Sequence, residues 1–156
     1  MPRERIPTAR EVMNTRVYTI HAETEISEAV RGLLAHRDSG APVVDAGGAL
    51  LGVLSEHDCI RALAQAIADR WPQGCAADHM TREIETVAPT DDVLSLATRF
   101  SGGRHRRLLV VEDGRLVGLI SRRDLLRALE SLEKRLEGKR APSTYEMLEQ
   151  RHRELG

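Results

Sequence analysis

The chain has 156 residues, with 23 Lys and Arg against 24 Asp and Glu, and a formal net charge of −1. So even a balance argues against a nucleic-acid partner recruited by global charge, while 41% apolar residues suffice for a core that one Phe, two Tyr and one Trp leave largely aliphatic. Cys59 and Cys75 form no CxxC pair, no apolar run approaches the ~20 residues of a membrane span, and the first residues lack a signal-peptide core, so a reducing cytoplasm is the expected location.

Residues 1–8, with Pro2 and Pro7, read as an N-terminal arm. Val17–Ile20 then predicts a short strand. Ile26, Ala29, Val30, Leu33 and Leu34 recur at helical spacing and predict one apolar helix face. Residues 41–45 and 49–54 are strand-like, and Gly47-Gly48 between them suits a hairpin turn. A helix from Ser55 presents Ile60, Leu63, Ala64 and Ile67 on one side. The order strand, helix, strand, strand, helix then recurs. Its second copy runs through Ile84–Val87, the Val93/Leu96/Ala97/Phe100 face, residues 108–112 and 116–120, and a helix from Ser121. Repeat 1 thus spans 9–70, a linker around Trp71-Pro72-Gln73-Gly74 covers 71–76, and repeat 2 spans 77–137. Residues 138–156 form a C-terminal helical tail, where Ser143 and Glu146 have capping-box spacing. Tyr145, Leu148 and Leu155 give that tail a thin apolar stripe, expected to dock on the module or on a second subunit.

The repeat carries a signature. Gly52-Val-Leu-Ser55-Glu-His-Asp58 and Gly118-Leu-Ile-Ser121-Arg-Arg-Asp124 each follow a Val-Val pair and lead into Arg-Ala-Leu. Upstream, Met13 aligns with Met80 and Thr19 with Thr86, with the one-residue offset placed in the hairpin turn. A Ser opening a helix with Asp three residues later is first a capping box. Its recurrence behind a glycine, at helix N-termini suited to anions, also fits a nucleotide, with the acidic side chain on ribose hydroxyls.

In these residues the chain resembles the CBS-domain family, from about Ala9 to Leu129. The resemblance rests on the Met-to-Thr entries (Met13–Ile20, Met80–Val87), on Pro42-Val-Val-Asp45 and on both Gly-x-x-Ser-x-x-Asp segments. It implies an α/β (α+β) fold: two βαββα units, related by a pseudo-twofold axis, with their small sheets packed together and the helical extension appended. It also implies two clefts binding AMP, ADP, ATP or S-adenosylmethionine as a regulatory ligand, with no cofactor required. The repeat 1 site would comprise Thr19, Ile20, Gly40, Ala41, Pro42, Ser55, His57 and Asp58. The repeat 2 site would comprise Thr86, Val87, Arg106, Arg107, Leu108, Leu109, Ser121, Arg122, Arg123 and Asp124, with Leu109 standing where the family has Pro. Asp58 and Asp124 would hold ribose, and Ser55 and Ser121 phosphate or ribose oxygen. The expected function is a stand-alone, energy-sensing homodimer that signals occupancy to an effector protein. The alternative is a ligand-free structural adaptor.

Local charge predicts unequal clefts. Arg122, Arg123 and the Arg104–Arg107 run favour phosphate beside Ser121, whereas Glu56 and Asp38 disfavour it beside Ser55. No nucleophile elbow, Walker loop or carboxylate pair is visible, and His57-Asp58-Cys59 would point three ways on a helix, so neither catalysis nor a metal is expected. Scarce aromatic residues further weigh against RNA.

Overall fold

The computed structural model describes residues 4–71, 74–103, 105–139 and 144–155. Pro2, Pro72, Gln73, Arg104 and Ser143, all named in the sequence reading, lie outside them. The described elements are α1 (Ala9–Val12), β1 (Ile20–His21), α2 (Ile26–His36), β2 (Gly40–Val44), β3 (Leu50–Ser55) and α3 (Glu56–Asp69), followed by α4 (Ala76–His79), β4 (Thr86–Val87), α5 (Val93–Ser101), β5 (Arg107–Glu112), β6 (Arg115–Ser121), α6 (Arg122–Glu137) and α7 (Thr144–Glu154). They build two three-stranded sheets, ordered β1-β2-β3 and β4-β5-β6. In each, the first strand runs parallel to the second and the second antiparallel to the third.

Local chemistry accounts for most boundaries. Ser55 and Ser121 cap α3 and α6 through reciprocal capping boxes with Asp58 and Asp124. Asp113 and Gly114 both take positive φ, the geometry of a tight two-residue hairpin, while the first hairpin absorbs its extra residue around Gly48. The opening strands are shorter than the sequence pattern suggests. Only Ile20 and His21 pair with β2, because the Tyr18 ring turns aside onto α2, covering Gly32 and stacking on His36 at 3.8 Å. Of the apolar face expected on α3, Leu63 packs against the core while Ile60, Ala64 and Ile67 stay exposed. Asp58, Cys59 and Ala62 are the buried residues of that helix, leaving Ile60 at 67% and Ile67 at 78% exposed.

The two repeats exchange their leading segments. One core holds Ile20, Ile26, Val43 and Leu54 of repeat 1 together with Ala76 and Met80. The other holds Val93, Leu96, Val110 and Ile120 of repeat 2 together with Ala9, Val12 and Met13. Hydrogen bonds fix the exchange symmetrically. Asn14 pairs with Leu119 at 2.9 Å in both directions, and Thr81 pairs with Val53 at 2.9 Å in both directions. The hairpin turns meet on the pseudo-twofold axis, where Ala49 bridges Arg115 and Leu50 N–H donates to Gly114 carbonyl at 3.0 Å. The first core thus draws on one continuous stretch, residues 18–80, whereas the second joins residues 9–13 to residues 87–132.

The described side chains of α7 are all exposed. Among the described residues no helix is long and apolar enough to cross a membrane, and no cluster of His, Cys, Asp and Glu is arranged to hold a metal.

Candidate functional site

The glycine of each repeated signature serves packing. A Cβ on Gly52 would lie 2.8 Å from Met80 Sδ and 2.7 Å from the Thr81 carbonyl oxygen, and one on Gly118 would collide with the Met13 side chain. These positions admit the incoming methionine of the exchanged segment; the close approach is made by protein and leaves no room there for ligand.

The Ser-x-x-Asp segments form capping boxes with different partners. Asp58 is buried at 5%, and its Oδ2 accepts from Ser55 N–H at 3.0 Å, Ser55 Oγ–H at 2.8 Å and Thr81 Oγ1–H at 3.3 Å. Asp124 is half-buried, and its Oδ2 accepts from Ser121 N–H at 2.9 Å. Asn14 replaces Thr81 at the equivalent position and uses its own oxygen on Arg16 N–H. Burial raises the Cys59 thiol pKa, with Asp58 and Glu56 adding to it, so this neighbour stays protonated at neutral pH.

A cavity of about 620 Å³ opens where the repeats meet, within the roughly 300–1,000 Å³ range of small-molecule sites. Repeat 1 supplies Ser39, Gly40, Ala41 and Pro42 from the start of β2, Val53 and Ser55 from β3, and Glu56 and His57 from the first turn of α3. Repeat 2 supplies His105, Arg106, Arg107, Leu109 and Leu119. A Cβ on Gly40 would sit 3.1 Å from the Leu54 carbonyl oxygen, a tight contact. Pro42 pairs with Val53, whose backbone groups bond outward to Thr81, so the missing proline N–H breaks no β2–β3 bond. Leu109 holds the same place opposite Leu119, whose backbone bonds outward to Asn14, and it keeps the strand register without proline.

The structure regroups the predicted residues. Gly40, Ala41, Pro42, Ser55 and His57 share one cavity with Arg106, Arg107 and Leu109. Thr19, Ile20, Asp58, Thr86, Val87, Leu108, Ser121, Arg122, Arg123 and Asp124 stand outside its lining. Arg106 and Arg107 line the cavity with the Ser55 motif of the other repeat, although Arg107 also pairs with Ser121 in the β5–β6 register, and Arg122 donates from Nε to the His105 carbonyl at 3.0 Å. Arg107 binds Ser39 Oγ and lies 3.7 Å from Asp38 Oδ1, so Asp38 is partly neutralised. His105 is paired with Glu85, which also accepts from Arg99 at 2.9 Å. Ser39, Val53 and Leu119 were not picked out from sequence. Their only sequence cue is position, one residue before Gly40 and one after each signature glycine.

Paired three-stranded sheets, exchanged entry segments and a cleft between the repeats define a tandem-repeat module. The CBS domain family model matches residues 9–65 and 76–131, and the chain belongs to that family. An uncharacterised protein of Methanocaldococcus jannaschii is 33% identical over 122 residues, covering 78% of this chain and 42% of the relative, so the chain spans less than half of that protein. The solved structure of CBSX2 from Arabidopsis thaliana in complex with AMP superposes with a TM-score of 0.69 at 25% identity, covering 81% of this chain and 98% of that one. The CBS domain pair of protein MJ0100, solved with 5′-methylthioadenosine and S-adenosyl-L-methionine, gives 0.65 at 26% identity, covering 81% and 98%.

Proposed function

We propose that the chain is a non-catalytic, cytoplasmic regulatory module that binds a phosphate-bearing adenine nucleotide between its repeats and reports occupancy to a protein partner. One observation carries this reading: the shared cavity joins the N-terminus of α3 to the guanidinium groups of Arg106 and Arg107 over an apolar wall of Ala41, Pro42, Val53 and Leu109. An apolar slot suits adenine, and a helix N-terminus with two arginines suits phosphate. Relatives of this fold solved with AMP or S-adenosylmethionine support the adenosyl part. The local charge favours AMP, ADP or ATP over the sulfonium compound, because a cationic sulfur gains nothing from two guanidinium groups.

A second ligand position is proposed around Thr86, Val87, Ser121, Arg123 and Asp124, the repeat 2 counterparts of Thr19, Ile20, Ser55, His57 and Asp58. Asp124 is the better ribose ligand of the two aspartates, since Asp58 already accepts from Ser55 and Thr81. The module is a homodimer in this reading, supported by the exposed apolar side chains of α2 and α3: Leu34, Ile60 and Ile67.

Isothermal calorimetry with AMP, ADP, ATP and S-adenosylmethionine is the test. Binding of the nucleotides should weaken tenfold or more on Arg106→Ala, because a charge-assisted bond contributes about 1.5–3 kcal/mol. An absence of heat and of thermal shift with all four ligands would favour the structural adaptor.

A further inference from the structure

Arg107 begins β5 of repeat 2, yet its side chain is anchored in repeat 1, where Nη2 donates to Ser39 Oγ and Nη1 stands 3.7 Å from Asp38 Oδ1. The two residues it holds stand between two spaces. Ser39 lines the shared cavity. A second cavity of about 540 Å³ lies between α2 and α3, with Leu34, Ile60 and Leu63 among its lining, and Asp38 and Ser39 line it too. Glu56 faces both spaces, and its backbone N–H donates to the Ser39 carbonyl at 2.9 Å. The wall between the cavity and the apolar groove is thus the Ser39–Glu56 pair, and Arg107 is its tie to the other repeat.

That tie is easily outcompeted. At 3.7 Å, with side chains 25% and 34% exposed, the Arg107–Asp38 pair is a loose, partly solvated ion pair. A phosphate offers a guanidinium two parallel charge-assisted bonds, a stronger acceptor set than one distant carboxylate oxygen and one hydroxyl. Among the described residues, the other charged or titratable groups at the cavity, Arg106, His57, His105 and Glu56, form no hydrogen bond or ion pair with Arg107.

We infer that Arg107 is a relay: a ligand phosphate in the shared cavity takes Arg107 from Asp38 and Ser39, and the released Asp38–Ser39 segment reshapes the apolar groove between α2 and α3. The inference rests on the phosphate-bearing reading above. It supplies what occupancy signalling needs, a contact that differs between two arrangements. By linkage, anything that binds the groove and holds Asp38 and Ser39 against Arg107 weakens phosphate binding by the same factor.

Methyl NMR on the full chain, titrated with ADP and with adenosine, tests it. ADP should move the groove methyls of Leu34, Ile60 and Leu63 together with the cavity methyls of Ala41, Leu109 and Leu119. Adenosine, lacking phosphate, should move the cavity set alone, and ADP on Arg107→Met should do the same. Asp38→Asn with no nucleotide should carry the groove set part of the way to its ADP-bound positions. Groove shifts of equal size with adenosine or in Arg107→Met overturn the relay, as do ADP shifts confined to the cavity. Should Arg107→Met lose ADP altogether, Asp38→Asn decides, and unmoved groove methyls in it overturn the relay. No shift in either set with ADP removes the nucleotide reading itself, a result distinct from failure of the relay alone.

Discussion

Gly52 and Gly118 each face a methionine that arrives from the other end of the chain's repeat pattern. Their neighbours differ in softness. A Cβ on Gly118 would meet the Met13 side chain first, whereas one on Gly52 would meet the fixed Thr81 carbonyl oxygen and Met80. A flexible thioether can yield to an added methyl; a backbone carbonyl held in a paired bridge yields less. Both alanine substitutions should destabilise, by about 1–3 kcal/mol, and Gly52→Ala should cost more than Gly118→Ala. Urea denaturation measures this directly. Adding Met13→Ala to Gly118→Ala should cost less than the sum of the two single changes, because both act on one contact. The glycines were visible in the sequence as a repeated feature, but not their purpose. Nothing local to Gly118 points to a residue more than a hundred positions upstream.

The exchanged turns α1 and α4 are the elements through which the repeats depend on each other. Each is a single turn closed by a capping box, Thr8 with Glu11 and Cys75 with Asp78. The Thr8 N–H bond is the chief cause that holds the Glu11 carboxyl below its usual pKa, and the Cys75 N–H bond does the same for Asp78. A carboxyl whose folded pKa is depressed contributes stability in full above its unfolded pKa and loses it as pH falls through the folded value. Melting temperature should therefore fall as pH is lowered from about 6 to about 3, and Glu11→Gln combined with Asp78→Asn should flatten that fall. An equally steep acid limb in the double variant would place the acid sensitivity elsewhere. Capping chemistry of this kind is short-range and was legible in Ser55/Asp58 and Ser121/Asp124. The facing of α3 was not. Its apolar spacing is genuine, but the helix packs through Cys59, Ala62 and Leu63, so Leu63 alone of the expected face reaches the core.

For the whole molecule, the exposed flank of α2 and α3 and the exposed tail make separate claims. In the proposed homodimer, Ile60→Glu should give a monomer by sedimentation while the fold persists, because Ile60 is 67% exposed and contributes little to its own core. A dimer that survives this change would place the interface on another face. The tail was expected to dock, yet the described side chains of α7 are exposed, so it buries no core of this module. A chain ending at Lys139, which keeps the ion pair of that residue with Glu4, should retain the melting temperature of the full chain. A lower melting temperature would show that the tail covers apolar surface after all.

The sequence by itself determined the repeat, the strand–helix–strand–strand–helix order within each copy, the hairpin turns and the caps of α3 and α6. Each of these depends on a few neighbouring residues: a Ser three positions before an Asp, a glycine where φ is positive, apolar side chains at period 3.6 or 2. It also determined the family, because the paired order of those signals is specific. Only the tertiary structure decided which entry segment serves which core and which charges meet in the cleft. The reason is degeneracy. Met13 and Met80 are equivalent, as are the pockets above Gly118 and Gly52, so self-packing and exchange satisfy the same sequence pattern. Once the segments cross and the hairpins meet at Ala49 and Arg115, Arg106 and Arg107 fall beside Ser55 and His57 of the other repeat. Proximity in the chain pointed only to Ser121, which Arg107 does meet in the β5–β6 register; the crossing of the repeats brings both arginines to the shared cavity as well.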